Sequence, residues 1–369
     1  MRSLHSQRTG YLKNATVLLL TAAFLFVWIT SFPLPVSAAE TDPAAILAEG
    51  LTACREIIDL SDSSLPVIEL GQVYLAVLHS HPELFHVALR LSYRCTESTV
   101  DGIPTLIVTE VYPAYTLTGV ALTAARADYR DMLAAILTEM ELTFGDHPRT
   151  EADTVLYLHD YLAHRYSYDT RPEAEANADA YTLLRDGRGI CQAYALTFLA
   201  LCQGAGLEAD LVVSDAMDHA WNHVRVGGEW YHVDVTRDDP IPAAEGTDEV
   251  NHLRLLRSDE GMEALGYHGF SCTAGHTCTD TRYETPEGET GWGIFSQKLT
   301  FSGGKWLGMD DGGGVVAVNL QKTGIFMGQV GDTDLNGVID PADLLCLYDP
   351  SLPEAWREEA RRRLLDGGG

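Results

Sequence analysis

The chain has 369 residues, 46% of them apolar, enough for a sizeable core and for two domains or one large domain with appendages. Lys and Arg number 25 against 53 Asp and Glu, a net charge of −28. That balance excludes the basic face a nucleic-acid surface requires, so no nucleic-acid partner is expected, and it suits a soluble, mutually repelling protein.

The N-terminus reads as a targeting segment. Arg2, Arg8 and Lys13 precede an apolar run from Ala15 to Ile29, and Val36, Ser37 and Ala38 supply the small residues of a cleavage site before Ala39. The expectation is a signal peptide over residues 1–38 and a secreted or cell-surface protein. A retained N-terminal anchor is the weaker alternative, because the run is short for a spanning helix. Seven cysteines are an odd number for an exported chain, which leaves at least one thiol over. Cys272 with Cys278, and Cys54 with Cys95, are close enough in sequence to be candidate bridges; only geometry decides.

From Asp42 to Arg149 helical and strand patterns mix. "LGQVYLAVLHSHPELF" reads as a helix ending before Pro82, "TLIVTEVY" as a strand, and "ALTAARADYRDMLAAILTEMELTF" as a long helix. Tyr157–Tyr166, "YLHDYLAHRY", reads as an amphipathic helix and "SYDTRPEAEANADA" as a polar loop. Residues 189–203 form a helical pattern with positions 191, 195, 198, 199 and 202 on one face, ended by Gly204 and Gly206. "LEADLVV" alternates as a strand. "HAWNHVRV", Gly227-Gly228 and "EWYHVDVT" read as a hairpin with a two-residue turn. Residues 243–285 look irregular, and residues 286–328 hold short apolar runs split by Gly-rich turns, read as a small β region.

Cys191 stands where the loop "RDGRGI" becomes a helix. A cysteine attacks as thiolate, and a helix N-terminus favours negative charge through its unpaired N–H groups and dipole. The same groups can hold the oxyanion of a tetrahedral intermediate. Alone this is weak, since a cysteine leading an apolar stripe is more often core. The hairpin strengthens it. With Gly227 and Gly228 as the turn, His223 faces His232, Trp221 faces Asp234 and His219 faces Thr236. His219 and Asp234 are then diagonal neighbours on one sheet face. A carboxylate beside an imidazole fixes its tautomer and stabilises the imidazolium, which in turn favours a thiolate.

These residues carry a resemblance. "DGRGICQAYALTFLALCQGAG", "DHAWNHV" and "EWYHVDVTRDDP" resemble the transglutaminase-like superfamily, in its exported bacterial branch. The resemblance implies an α+β, papain-like core, with a Cys-bearing helix on an antiparallel sheet. It also implies Cys191 as nucleophile, His219 as base and Asp234 as orienter, with no cofactor for catalysis. "LHDYLAHRYSYD" and "LLRSDEGMEALGYHGF" look like segments flanking that core. Arg237 departs from the Trp that many relatives carry after their D-x-T, and Ala193 from a frequent Gly. The implied substrates are proteins or peptides, attacked at an amide through a thioester and released by hydrolysis or crosslinking. Gln192, Tyr168 and Trp221 are further candidates for the substrate or oxyanion site.

Two rival readings stand beside the thiol enzyme. His223 and His232, with His219 or Asp234, could bind zinc. Alternatively the chain is a non-catalytic cell-surface or scaffold module with a decayed cleft. "CTAGHTC" (Cys272, His276, Cys278) is a weaker metal candidate, and His159 and His164 read as packing or surface residues.

Near the C-terminus, "GDTDLNGVIDPADLLCLYD" places Asp332, Asp334 and Asn336 at positions 1, 3 and 5 of a calcium loop. Gly337 falls at the sharp turn, the Val338 carbonyl at position 7, Asp340 at position 9 and Asp343 at position 12. The closing Asp in place of the EF-hand Glu resembles a dockerin repeat. That implies Ca²⁺ and, where two repeats occur, a cohesin-type scaffold partner; this chain shows one repeat, which weakens the partner. The expected organisation is a signal peptide (1–38), an N-terminal α/β region (39–149), a catalytic core (150–285), a small β-rich segment (286–328) and a dockerin-like tail (329–369).

Overall fold

The computed structural model describes residues 42–100, 102–171, 178–239, 250–272, 274–284 and, with interruptions, 292–362, together with Ala15–Val17. The rest of the proposed leader lies outside the described residues. Two compact units divide at residues 124 and 125, inside the long helix rather than at 149, and the small β segment belongs to the second unit.

In the first unit, strand β1 (Ala15–Val17) precedes helix α1 (Pro43–Thr52), strand β2 (Ile58–Asp59) and helix α2 (Leu70–Ser80). Two long strands, β3 (Val87–Val100) and β4 (Ile103–Tyr115), form the central hairpin. The sheet order is β1-β3-β4-β2. Leu47, Leu51, Tyr74, Val77, Val108 and Val111 form its core between the helices and one sheet face. Asp42 caps α1 by accepting from the Ala44 N–H, and Pro43 supplies a first residue whose missing N–H costs nothing there.

The long helix α3 (Gly119–Phe144) leads into the second unit and helix α4 (Glu151–Arg165) follows. Thr150 and Asp153 form a capping box, each side chain accepting from the other's backbone N–H. The helix therefore starts six residues before Tyr157. It is not amphipathic: residues 152–163 are all buried. Strand β5 (Ser167–Tyr168), helix α5 (Ala180–Asp186) and strand β6 (Arg188–Gly189) lead to helix α6 (Cys191–Gly204), on which residues 193–202 are buried on every side. A helix apolar all round is a core helix, so the one-faced stripe expected from the sequence understated its burial. The β8 hairpin covers part of it, with the Asn222 side-chain amide donating to the Ala195 carbonyl.

The second sheet is antiparallel, in the order β10-β9-β8-β7-β11. Its strands are β7 (Ala209–Ser214), β8 (His219–Val226), β9 (Glu229–Val233), β10 (Leu255–Arg257) and β11 (Ser271–Cys272). The last two and helix α8 (Asp259–Ala264) correct the irregular reading of 243–285; they are two- and three-residue edge strands, too short for a periodic signal. Helix α7 (Val235–Asp238) replaces the end of the expected strand. Strands β12 (Thr300–Ser302), β13 (Lys305–Met309), β14 (Val315–Gln321) and β15 (Gly324–Met327) form the expected antiparallel β segment. It packs on the helices, with Phe144 against Phe301 at 4.7 Å and the Trp306 indole N–H donating to Asp153 at 2.8 Å.

Among the described residues no helix is long and apolar enough to cross a membrane. Thr150 holds an orphan N–H at the start of a core helix, so Thr150→Ala is expected to lower stability by ~1 kcal/mol. A urea melt reads this as a lower midpoint at unchanged slope; an unchanged midpoint refutes the cap's role.

Candidate active site

The turn between β8 and β9 fixes the register of the site. Gly227 and Gly228 have φ +61° and +92°, as a two-residue turn with both central residues left-handed requires. Val226 then pairs with Glu229 and His223 with His232, the register expected from the sequence. The strand pairing stops at Asn222 and Val233. Asp234 leaves the ladder and caps α7, accepting from the Arg237 N–H at 3.1 Å, while its own N–H donates to the Arg254 carbonyl.

The Asp234 carboxylate is fully buried and lies 2.7 Å from His219 Nε2. Tyr267 donates its hydroxyl to the same carboxylate oxygen, and Arg237 stacks over the Tyr267 ring at 4.7 Å. The Cys191 thiol lies on the same side of the site, close enough to the His219 ring to influence its protonation. Burial opposes a charged imidazole, but the Asp234 bond and charge and the nearby Cys191 thiol outweigh it and push His219 up to about 9. For Asp234 burial favours the neutral acid, and the His219 and Tyr267 bonds overcome it, holding the group below the usual carboxylate range. The His219 side chain is 7% exposed and Cys191 is half-buried, so the pair sits at the edge of the core rather than sealed within it.

Cys191 is the first residue of α6, and its N-cap, Ile190, offers no side-chain acceptor to the first turn. That leaves a helix tip able to favour a thiolate and an oxyanion. The parallel pair β5–β6 sets Tyr168 opposite Gly189, two residues before the thiol. Burial raises the Tyr168 phenol, and the Cys191 and Asp218 charges add to it. Gln192 follows in the first turn, half-buried.

Trp221, named as a substrate-site candidate and otherwise as a core residue, lies in the core. It is 1% exposed, stacks against His219 at 5.5 Å, and its indole N–H donates to His232 Nδ1 at 2.8 Å. It packs with Val212, Met262 and Tyr267, so it braces the imidazole from inside and offers no donor to an oxyanion. The site residues that the sequence reading missed are Tyr267 and Arg254, the latter bonded to Asp238 at 3.0 Å. Both fall in the "LLRSDEGMEALGYHGF" stretch or just before it, where a lone Tyr or Arg carries no periodic signal.

The expected zinc set does not gather around His219, which is engaged by Asp234. His223 and His232 meet Asp259 and Cys278 instead. Of the Cys272, His276, Cys278 trio, the His276 ring is engaged elsewhere, stacking on Trp230 at 3.8 Å and pairing with Asp210 at 2.9 Å, while its backbone N–H donates to the Cys272 sulfur at 3.2 Å. Cys272 and Cys278 are thiols, as are Cys54 and Cys95, so neither candidate bridge forms; the Cys54 sulfur lies 3.4 Å from His86 Nε2. His159 is buried, not at the surface, bonded to Asp160 and Asp238, while His252 bonds Asp160 and the Phe295 carbonyl. These four ring nitrogens are spent on hydrogen bonds, which makes that cluster a polar core rather than a metal cage. His164 is exposed.

In the tail, the carboxylates of Asp332, Asp334 and Asp343 lie within 4.8 Å of one another, with Asp332 and Asp343 buried. Asp343 also accepts the Thr333 and Asp334 N–H groups at 2.7 and 3.2 Å. Asn336, Val338 and Asp340 lie outside the described residues.

Residues 140–235 match the family model of the transglutaminase-like superfamily. A search of curated proteins gave no match. Among solved structures, the chain is similar to a TGase at 14% identity and a TM-score of 0.29, over 43% of this chain and 47% of that one. It is also similar to a candidate cysteine protease from Cytophaga hutchinsonii at 16% identity and a TM-score of 0.24, over 40% of this chain and 63% of that one. A candidate protease from Parabacteroides distasonis gives 15% identity and a TM-score of 0.23, over 38% of this chain and 35% of that one. The chain thus spans about half the length, 47%, of the first of these. Cys191, His219 and Asp234 all fall inside the segment that matches the transglutaminase-like superfamily model.

Proposed function

We propose that this protein is an exported thiol acyl-transfer enzyme acting on amide bonds of proteins or peptides. The observation that carries the reading is one imidazole hydrogen-bonded to a buried carboxylate and lying close enough to a helix-tip thiol to be shifted by it. The Cys191 thiolate attacks an amide carbonyl and forms a C–S bond. The first-turn N–H groups of α6 receive the oxyanion. His219 then protonates the leaving amine as the C–N bond breaks, which leaves a thioester on Cys191. Water or a substrate amine adds to the thioester, His219 takes its proton, and the C–S bond breaks. Water gives hydrolysis and a lysine amine gives crosslinking. Asp234 keeps the ring oriented throughout and offsets its positive charge.

Incubation with a mixed peptide pool and mass spectrometry of the products tests this. The wild-type chain is expected to form an acyl-enzyme on Cys191, and Cys191→Ala to form none while keeping its circular-dichroism spectrum. Equal acylation and turnover by folded Cys191→Ala would mean a binding module or another chemistry.

The pH dependence follows from His219. Its imidazolium persists below about 9 and is lost above, so kcat/KM is expected to fall on the alkaline side near that value. In stability, a raised pKa contributes fully below the unfolded value of about 6.5 and is lost as pH rises through the folded value. Tyr267→Phe removes a donor from Asp234 and leaves more negative charge facing His219. It is expected to lower kcat/KM about 10- to 100-fold, the worth of a bond to a charged group, and to move the alkaline limb upward. A lower rate with an unmoved limb means that Tyr267 only packs.

The tail supports a second, separate site. Three converging carboxylates, two of them buried, repel one another, and a hard cation coordinated by oxygens offsets that repulsion. We read it as a dockerin-like Ca²⁺ site. Calorimetry is expected to show one calcium bound per chain, lost in Asp332→Ala. Absence of heat from the wild-type chain removes the site, and with it any calcium-dependent scaffold partner.

A further inference from the structure

The face of β8 and β9 that carries His219 holds a second cluster at its other end. His223 lies four residues along β8, about 13 Å from His219 at strand spacing. Ligating atoms of His223, His232, Asp259 and Cys278 all lie within 4.8 Å of one another. His223 is 2% exposed and Cys278 1%, and neither nitrogen of His223 has a hydrogen-bond partner. A buried imidazole with both nitrogens unspent is costly, and here it faces a carboxylate, a thiol and another imidazole.

We infer that His223, Asp259 and Cys278 form a binding site for a zinc-class divalent transition ion, oriented by His232. The donor set is one nitrogen, one carboxylate oxygen and one sulfur. That mixture suits zinc and its tetrahedral relatives, and not calcium or magnesium, which take oxygen. The site is held in advance of any ion. The Asp259 N–H donates to the Cys278 carbonyl at 2.7 Å, and the Cys278 N–H donates to Asp259 Oδ2 at 3.1 Å. These two bonds clamp the loop that carries the thiol against the first residue of α8.

His232 plays a different part from His223. Its Nδ1 accepts from the Trp221 indole, so its proton sits on Nε2, 2.8 Å from Asp259 Oδ1. A ring whose free nitrogen carries the proton does not ligate. It orients the carboxylate that does, as histidine and carboxylate partners commonly do around a metal. Three protein ligands leave the fourth tetrahedral position to solvent, which reaches the site past Asp259, whose side chain is 30% exposed. On binding, the Cys278 sulfur gives up its proton to solvent and takes the metal in its place.

The site does not rest on the thiol mechanism, and its test excludes that mechanism. The full chain carrying Cys191→Ser is stripped with a chelator and titrated with Co²⁺ and then Zn²⁺. One equivalent is expected to bind, with a near-ultraviolet thiolate-to-cobalt charge-transfer band that zinc displaces. The band is expected to vanish in Cys278→Ser, and stoichiometric binding in His223→Gln and Asp259→Asn. His232→Gln is expected to keep one equivalent at about 10–100-fold weaker affinity, and Asp332→Ala, in the tail, to leave zinc binding unchanged. No metal uptake by the folded Cys191→Ser chain overturns the site whether or not the ligand variants fold. A cobalt band that survives Cys278→Ser overturns it as well.

Discussion

A carboxylate with no solvent access is tolerated only when its lone pairs are occupied, and the Asp234 carboxylate is 0% exposed. Its three side-chain and backbone donors come from three places in the chain. His219 reaches it from β8, Tyr267 from the segment after α8, and the Arg237 N–H from the first turn of α7. Meeting the needs of one charge therefore fixes the orientation of the imidazole, the end of the β9 ladder and the docking of the loop beyond α8. The strand must stop at Val233 because a carboxylate that remained in the ladder could not also cap a helix. Replacing the acid with an apolar residue would strand the His219 and Tyr267 donors, a penalty of about 1–3 kcal/mol for each group left unmatched.

The helix side of the site is held by the opposite means. Helices α4 and α6 are buried all round, so the helix that begins at Cys191 is positioned by packing rather than by a polar contact at its tip. What polarity α4 does carry is matched across the core. His159 bonds Asp160 and Asp238, His252 bonds Asp160, and Arg254 bonds Asp238. Burial alone would neutralise His159, but its two carboxylate partners raise it to about 9, and Asp160 is held low in return by its histidine neighbours. That network ties α4 to α7 and β10, the same pieces that carry Asp234 and its neighbours. The thiol and the imidazole are thus approached from two sides by elements that this network connects.

The sequence made the hairpin legible because its information is local. A Gly-Gly pair sets a two-residue turn, the turn sets the register, and the period of two sets which side chains share a face. The pairing of His223 with His232 and the approach of His219 to Asp234 followed from that arithmetic. What stayed hidden depends on contacts that no local pattern encodes. Trp221 read equally as a substrate-site candidate or a core residue, and only the packing of Met262 and Tyr267 over it shows that it lies beneath the imidazole. The stretch Tyr157–Tyr166 read as an amphipathic helix, although its polar His159 and Asp160 are buried against distant partners, as is Asp153 in the turn before it. Strands β10 and β11 are too short for periodicity and exist because the sheet edges beside β9 and β7 needed partners.

Trp221 also joins the two ends of the hairpin face. It stacks on His219 at one end, and at the other its indole N–H fixes the tautomer of His232, which in turn sets the carboxylate of Asp259. The side chain that braces His219 therefore decides which nitrogen of His232 bears a proton, and so which atoms of the second cluster are left without one. Loss of the indole N–H would free His232 Nδ1 to take the proton and let Nε2 ligate in its turn. One tryptophan thus serves apolar support on its face and proton placement at its edge, and its burial at 1% exposure keeps both roles away from water.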